Sequence, residues 1–547
     1  MKDLRLNALS NINGTIETYI IISEFAKETS KKETMLMKIK ILDCTLRDGG
    51  YYTNWDFSSD VVKTYIETTN KLPVDYLEVG YRNKPTKEYM GKFGYTPVSI
   101  LKKLRKSSNK KLAVMLNEKS TLPEDLDELL SPIKGLADMV RLAVDPKNFE
   151  RAVVLAKAVK VMGFEVAFNT MYMSKWSTEY KGFLDNLSEI NGVADLFCMV
   201  DSFGGITPSE VRDITAKVKA NTTCAVGFHG HNNLQLGLIN TLTAIECGVD
   251  FVDATALGMG RGAGNLNMEL LLTYLKNEGL DVDFNVLGDY VSNFQPLLDE
   301  YQWGTNLPYM ISGANRIPQK EVMEWVTNRA YSFNSIVRAL DNKRNCVADN
   351  AHYPLLDAET TDKVLIIGGG NSAIEHQEAI KEYLKSHPNV AVIFVTCRHA
   401  ASYLDIENDK YYCLVGNEAK RMKRNINAEE FNGKCVLAPF PRKMGTEVPD
   451  FAEDSTFELK DIVFTNDYLD SCTAIALQIA LDLEAKDIFV IGYDGYKGEV
   501  LSEKEMDLTN ENRTLFNGFV TYFNKPLISL TDTLYKELEV KSIYQFI

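Results

Sequence analysis

Apolar, β-branched runs of strand length recur along the first half of the chain: 38–46 (KIKILDCTL), 76–80 (YLEVG), 111–116 (KLAVML), 138–144 (DMVRLAV), 164–170 (FEVAFNT), 195–201 (DLFCMVD), 224–230 (CAVGFHG) and 250–256 (DFVDATA). Amphipathic stretches separate them, such as 149–162, with apolar residues three or four apart. Continuous apolar strands alternating with helices predict a parallel sheet covered on both faces. Eight units in about 220 residues match a (β/α)₈ barrel, although an open doubly wound sheet also holds eight strands. Polar residues decide for the barrel. Asp48, Glu78, Asn117, Arg141, Asn169, Asp201, His229, His231 and Thr255 all fall at or just past strand ends, which converge on one mouth in a barrel.

The periodicity then divides the rest. Residues 1–36 fit nothing downstream and are read as an N-terminal extension; the barrel covers 37–275. Residues 276–357 turn helical and aromatic, a helical appendage and linker. A second strand–helix alternation begins at 362–373 (DKVLIIGGGNSA) and continues at 390–396, 411–415, 434–439 and 486–494, predicting a doubly wound, Rossmann-like α/β domain over 358–547.

Composition narrows the function classes. Lys and Arg number 60 against 75 Asp and Glu, a formal net charge of −15, which argues against nucleic acid or an anionic membrane as partner. No apolar run reaches membrane-spanning length, and the N-terminus lacks the pattern of a secretory signal. The nine cysteines lack CxxC spacing and read as reduced, buried thiols in a cytoplasmic protein.

The chemistry concentrates in 227–233 (GFHGHNN). Side chains alternate along a strand, so His229 and His231 point the same way, two imidazoles at the barrel mouth. Asp48 adds a carboxylate after the first strand, and 258–265 (GMGRGAGN) brings Asn265 beside it. A lone His-x-His more often marks histidines satisfied by hydrogen bonds; together with LRDG and the glycine loop it reads as an open divalent-metal site.

The motifs LDCTLRDGG, LEVG, NTMY, DSFGGITP, GFHGHNNLQLG and GMGRGAGN resemble the barrel of the DRE-TIM metallolyases over about 40–320, with spacing most similar to the 4-hydroxy-2-oxovalerate aldolases. The resemblance implies that Asp48, His229, His231 and Asn265 hold the metal, manganese being favoured over magnesium or zinc. It implies that Arg47 stabilises an enolate oxygen and that Glu78 orients Arg47 or a water. Arg141, Asn169 and Asp201 are expected to bind substrate polar groups. The implied reaction makes or breaks a carbon–carbon bond between a 2-oxo acid and an aldehyde, in a homo-oligomer. One position departs from the aldolase pattern: Tyr51 stands where a histidine serves those enzymes as base. Tyrosine, with an ordinary pKa near 10, is a poor base, so a different acceptor is expected, and Tyr52, Tyr81 and Tyr309 are further candidates. A Claisen-type acyltransferase, a bifunctional enzyme whose second domain processes the barrel's product, and a non-catalytic nucleotide-sensing scaffold are the alternatives.

In the second domain a glycine turn with the spacing GxGxxA (Gly368, Gly370, Ala373) between strand and helix suits a phosphate. Gly368, Gly369, Gly370, Ser372, Arg398 and Asp494 are its expected nucleotide- or phosphate-binding residues. The stretch 392–400 (VIFVTCRHA) offers no acid for a ribose, which disfavours NAD. Residues 471–495 resemble MptE-like pterin pyrophosphokinases and some glycosyltransferases, placing Asp494 at a ligand crevice.

Overall fold

The structure, a computed structural model, describes residues 38–547 except 88, 328–332, 346–350, 358, 443–444 and 497–502. The expected N-terminal extension 1–36 lies outside the described residues. The chain forms two compact units, Met1–Met323 and Glu324–Ile547.

In the first unit eight parallel strands close into a barrel: β1 (Lys40–Asp43), β2 (Tyr76–Tyr81), β3 (Lys111–Asn117), β4 (Met139–Val144), β5 (Glu165–Thr170), β6 (Leu196–Asp201), β7 (Ala225–Gly230) and β8 (Phe251–Ala254). β8 pairs with β1, Phe251 opposite Lys40 and Ala254 opposite Asp43. Closure removes both sheet edges. Most strand positions are apolar because each strand has the barrel interior on one side and a helix on the other. Leu42, Tyr76, Ala113, Met139, Ala167, Leu196 and Phe251 fill the interior, while Ile41, Leu77, Val114, Val140 and Val252 pack outward. The helices Phe284–Tyr301 and Leu307–Ala314 belong to this unit. Phe284–Tyr301 is held by the Tyr290 hydroxyl, which donates to the buried Asp43 at 2.6 Å. The segment read from the sequence as one appendage, 276–357, is thus shared between the units, the division falling inside the helix Gln319–Thr327.

The second unit holds one parallel sheet of eight strands: β9 (Lys363–Ile367), β10 (Ala391–Phe394), β11 (Lys410–Leu414), β12 (Lys434–Leu437), β13 (Thr456–Glu458), β14 (Asp487–Ile491), β15 (Ile528–Ser529) and β16 (Glu539–Val540). Their order is 13-12-11-10-9-14-15-16. The chain runs outward from β9 in one direction and then from β14 in the other, so the topological switch lies between β9 and β14. Among the described residues no helix is long and apolar enough to cross a membrane.

Candidate active site in the barrel

After β1 the chain turns at once into a short helical segment, Thr45–Asp48. Asp43 is the anchor: its carboxylate accepts from the Thr45 amide and hydroxyl and from Tyr65 and Tyr290. That turn presents Arg47 and Asp48, both nearly buried, at the C-terminal end of the barrel. Arg47 Nε donates to Glu78 on β2 at 2.9 Å, and its Nη1 pairs with Asp48. Burial disfavours the Asp48 charge, but Arg47 and the two histidines prevail and hold the carboxyl below its usual range.

β7 delivers the histidines, with ring centroids 5.0 Å apart. His229 Nδ1 lies 2.9 Å from Asp253 on β8. Burial opposes ionisation of Asp253, but Arg141 and His229 win and bring its pKa down to about 2, so it accepts and fixes the proton on Nδ1. His231 Nδ1 donates to the Asp201 carbonyl at 2.8 Å, a group that only accepts. Burial, with His229 close by, pushes the His231 pKa down to about 3, so the ring is neutral. His231 therefore keeps a bare Nε2, and Nε2 of His229 lies 3.6 Å from Asp48 Oδ2. Metal-ligating histidines are commonly held this way, by a carboxylate or carbonyl on the other nitrogen.

Asn265 comes from the glycine loop after β8. Its Nδ2 donates to Asp48 Oδ2 at 2.8 Å, and its buried Oδ1 has no hydrogen-bond partner. The loop lies this close because glycine permits it: Gly264 has φ +80°, and a Cβ there would strike the Gly258 carbonyl. Three carboxylates (Asp48, Glu78, Asp253) and two guanidiniums (Arg47, Arg141) form the buried network around the histidines. One negative charge is left over. Two imidazoles, a carboxylate, an orphaned amide oxygen and that excess charge fit a divalent cation. Among the described residues the one trio of His, Cys, Asp or Glu ligand atoms within 4.8 Å of one another is Cys44 Sγ, His229 and Asp253; Asp48, His229 and His231 do not meet that distance together. Burial and the neighbouring Asp48 hold the Cys44 thiol well above its ordinary pKa, so it stays protonated and is a poor ligand.

Arg141, Asn169 and Asp201, expected to face substrate, are all buried. Arg141 donates to Asn169 Oδ1 at 2.8 Å, Glu78 at 3.2 Å and Asp253 at 2.6 Å, bracing both acids from inside the barrel. Asp201 accepts the Ile206 amide at 3.4 Å, while burial raises its pKa to about 6. Sequence reasoning did not single out Asp253. The signal was an acid inside the apolar strand DFVDATA, which must be paired when buried.

Tyr51 sits beside this centre with its hydroxyl 3.2 Å from that of Tyr81, and Trp55 packs edge-on against both rings. Burial and the neighbouring Tyr51 keep Tyr81 protonated, its pKa raised. Tyr52 donates to the Gly262 carbonyl at 3.0 Å. The unit's described residues contain no histidine besides His229 and His231; the other four are His352, His376, His387 and His399.

In the second unit Gly368–Gly370 and Asp494 do meet at the switch between β9 and β14. The Ser372 amide donates to Asp494 Oδ2 at 3.0 Å, and its hydroxyl bonds Asp494 Oδ1. Arg398 and His399 both contact the Gly369 carbonyl. The helix after the glycine turn is one turn long, Ser372–Glu375. A carboxylate thus holds the amide expected to meet a phosphate.

A family model described as HMGL-like matches residues 140–288. A 4-hydroxy-2-oxovalerate aldolase of Carboxydothermus hydrogenoformans is 32% identical over 251 residues, 45% of this chain and 73% of that protein. An oxaloacetate decarboxylase of Mycobacterium tuberculosis is 27% identical over 242 residues, 44% of this chain and 70% of that protein. A crystal structure of the N-terminal domain of a putative aldolase from Bacteroides vulgatus is 70% identical, with a TM-score of 0.53, covering 55% of this chain and 100% of that one.

Proposed function

This chain belongs to the HMGL-like family of lyases, and from that premise we propose that its barrel is a divalent-metal-dependent aldolase acting on a 2-oxo acid through an enolate. The observation that carries the reading is the pair of imidazoles whose Nδ1 atoms are both hydrogen-bonded, which leaves each Nε2 to face a ligand, that of His229 3.6 Å from Asp48, whose carboxylate is bonded to Asn265 with its orphaned Oδ1. Asp48, His229 and His231 would hold the cation, with Asn265 Oδ1 completing the protein's share. The bound ion supplies Lewis-acid polarisation of the 2-oxo group. Manganese is the proposed metal, with magnesium and zinc as comparators.

The chain's own residues do the rest. Arg47, clamped between Asp48 and Glu78, offers a fixed guanidinium to the oxygen on which enolate charge grows. Glu78 holds Arg47 and is itself held by Arg141. Asp253 keeps His229 in its ligating tautomer. Proton transfer at the aldol hydroxyl falls to the Tyr51–Tyr81 pair or to water they order, because the unit's described histidines are both ligands. No step of this reaction is assigned to the second unit, where Asp494 accepts from the Ser372 amide.

A second reading, decarboxylation of a 2-oxo diacid, is favoured by Tyr51. Loss of carbon dioxide gives the same enolate and requires no base to remove a hydroxyl proton. Pyruvate formation from 4-hydroxy-2-oxo acids and from oxaloacetate, after chelator treatment and readdition of Mn²⁺, separates the two. The proposal expects turnover of a hydroxy-oxo acid that EDTA abolishes. Turnover of oxaloacetate alone would favour the second reading, and no turnover of either would sink both.

A further inference from the structure

Resting on that reading, the geometry points to an anion-binding subsite at Arg261, so that the aldehyde acceptor carries a carboxylate or phosphate remote from its carbonyl. Arg261 lies on the glycine loop after β8, four residues before Asn265. Its guanidinium carbon is 4.5 Å from the centroid of the Tyr51 ring. The loop is pinned there. The Asn232 amide donates to the Gly264 carbonyl at 2.9 Å, the Asn265 amide donates to Gly258 at 2.9 Å, and Tyr52 grips Gly262.

What sets Arg261 apart is its lack of an ion-pair partner among the described residues. Every other described arginine of the unit is engaged by a carboxylate or, for Arg82, by backbone carbonyls. A half-buried guanidinium against an aromatic face keeps its charge and its N–H donors for an incoming anion. The site is also laid out end to end. Arg47 stands at the proposed metal site; Trp55 Nε1 donates to the Arg47 carbonyl at 2.9 Å and packs on both Tyr81 and Tyr51; Arg261 closes the row beyond Tyr51. A substrate lying along the tyrosine pair meets one cationic side chain at each end.

In the synthetic direction the methyl carbon of the 2-oxo acid loses a proton and bonds to the aldehyde carbon. The carbonyl electron pair becomes an alkoxide that takes up a proton, giving a 4-hydroxy-2-oxo acid with a second anionic group. The test uses the full Mn²⁺-loaded chain with pyruvate and three acceptors: succinic semialdehyde, glyceraldehyde 3-phosphate and propionaldehyde. One charged acceptor is expected to exceed the neutral one in kcat/KM by about 10- to 100-fold, the scale of a charge-assisted hydrogen bond; which one identifies the anion. Arg261→Ala should bring that ratio close to one, and Arg261→Lys should restore part of it. Turnover with a ratio that Arg261→Ala leaves in place overturns the subsite while sparing the aldolase reading. If the wild type turns over no acceptor and shows no Mn²⁺-dependent deuterium exchange at the pyruvate methyl group, the aldolase reading fails instead. Tryptophan fluorescence titrated with succinate and with inorganic phosphate then judges the subsite alone: a saturable change absent in Arg261→Ala supports it, and no response in the wild type overturns it.

Discussion

Asp253 shows how a residue that never meets substrate controls the site. One oxygen, Oδ2, holds His229 Nδ1 and Arg141 together. In Asp253→Asn the amide cannot accept as strongly and can turn its donor toward the imidazole, releasing the tautomer that bares Nε2. Mn²⁺ affinity should fall about 10- to 100-fold, the usual effect of losing such a partner, read by titration against a chelator. An affinity within twofold of wild type would mean that Asp253 serves only Arg141. Arg47 acts more directly. Its Nε and Nη1 hold Glu78 and Asp48 at once, which the single point charge of a lysine cannot reproduce. Arg47→Lys should lower kcat by about 10²- to 10³-fold, by analogy with the loss of one preorganised donor to an oxyanion, with little change in metal affinity. A variant with normal kcat would remove Arg47 from the enolate.

At the scale of elements, the site depends on two connections, the turn after β1 and the loop after β8. The loop is the more demanding. Gly264 has φ +80° and its Cα faces the Gly258 carbonyl, so Gly264→Ala combines left-handed strain with a clash. The substitution should cost about 1–3 kcal/mol and displace Asn265 from Asp48. A thermal melt with and without Mn²⁺ tests both parts: a lower Tm and a smaller metal-induced rise are expected, and a wild-type melt would show that the loop tolerates the side chain. These connections were legible in the sequence because strand ends carry polar residues and glycines that apolar strands do not explain. The internal bracing was less legible. Arg141 in DMVRLAV reads as a strand-end group open to substrate, since strand spacing does not reveal that Asn169, Glu78 and Asp253 converge on it from three other strands. In the second unit five strands were visible in the hydrophobic pattern. The others, Thr456–Glu458, Ile528–Ser529 and Glu539–Val540, are two or three residues long, too short to establish a period. The glycine turn and Asp494 were both legible, but not that the Asp494 carboxylate takes the Ser372 amide itself, from more than a hundred residues away.

At the scale of the whole molecule, every side chain argued above to position the proposed metal site comes from between Asp43 and Tyr290, within the first unit. Gln319 even fastens the start of the helix at the unit boundary back onto the barrel, donating to Asn233 at 2.6 Å. The N-terminal domain of the Bacteroides vulgatus relative was crystallised by itself, and this chain matches all of it. The barrel should therefore fold and work alone. A fragment covering 38–327 should keep kcat within about twofold of the full chain. Saturating Mn²⁺ should raise its Tm by several degrees, because an ion at 100 times its Kd stabilises the folded state by about 2.7 kcal/mol. His229→Ala should remove most of that rise in fragment and full chain alike, since it deletes a proposed ligand common to both. A fragment that folds yet loses more than tenfold in kcat, or binds no Mn²⁺ while the full chain does, would place part of the catalytic apparatus in the second unit and overturn the assignment of chemistry to the barrel alone.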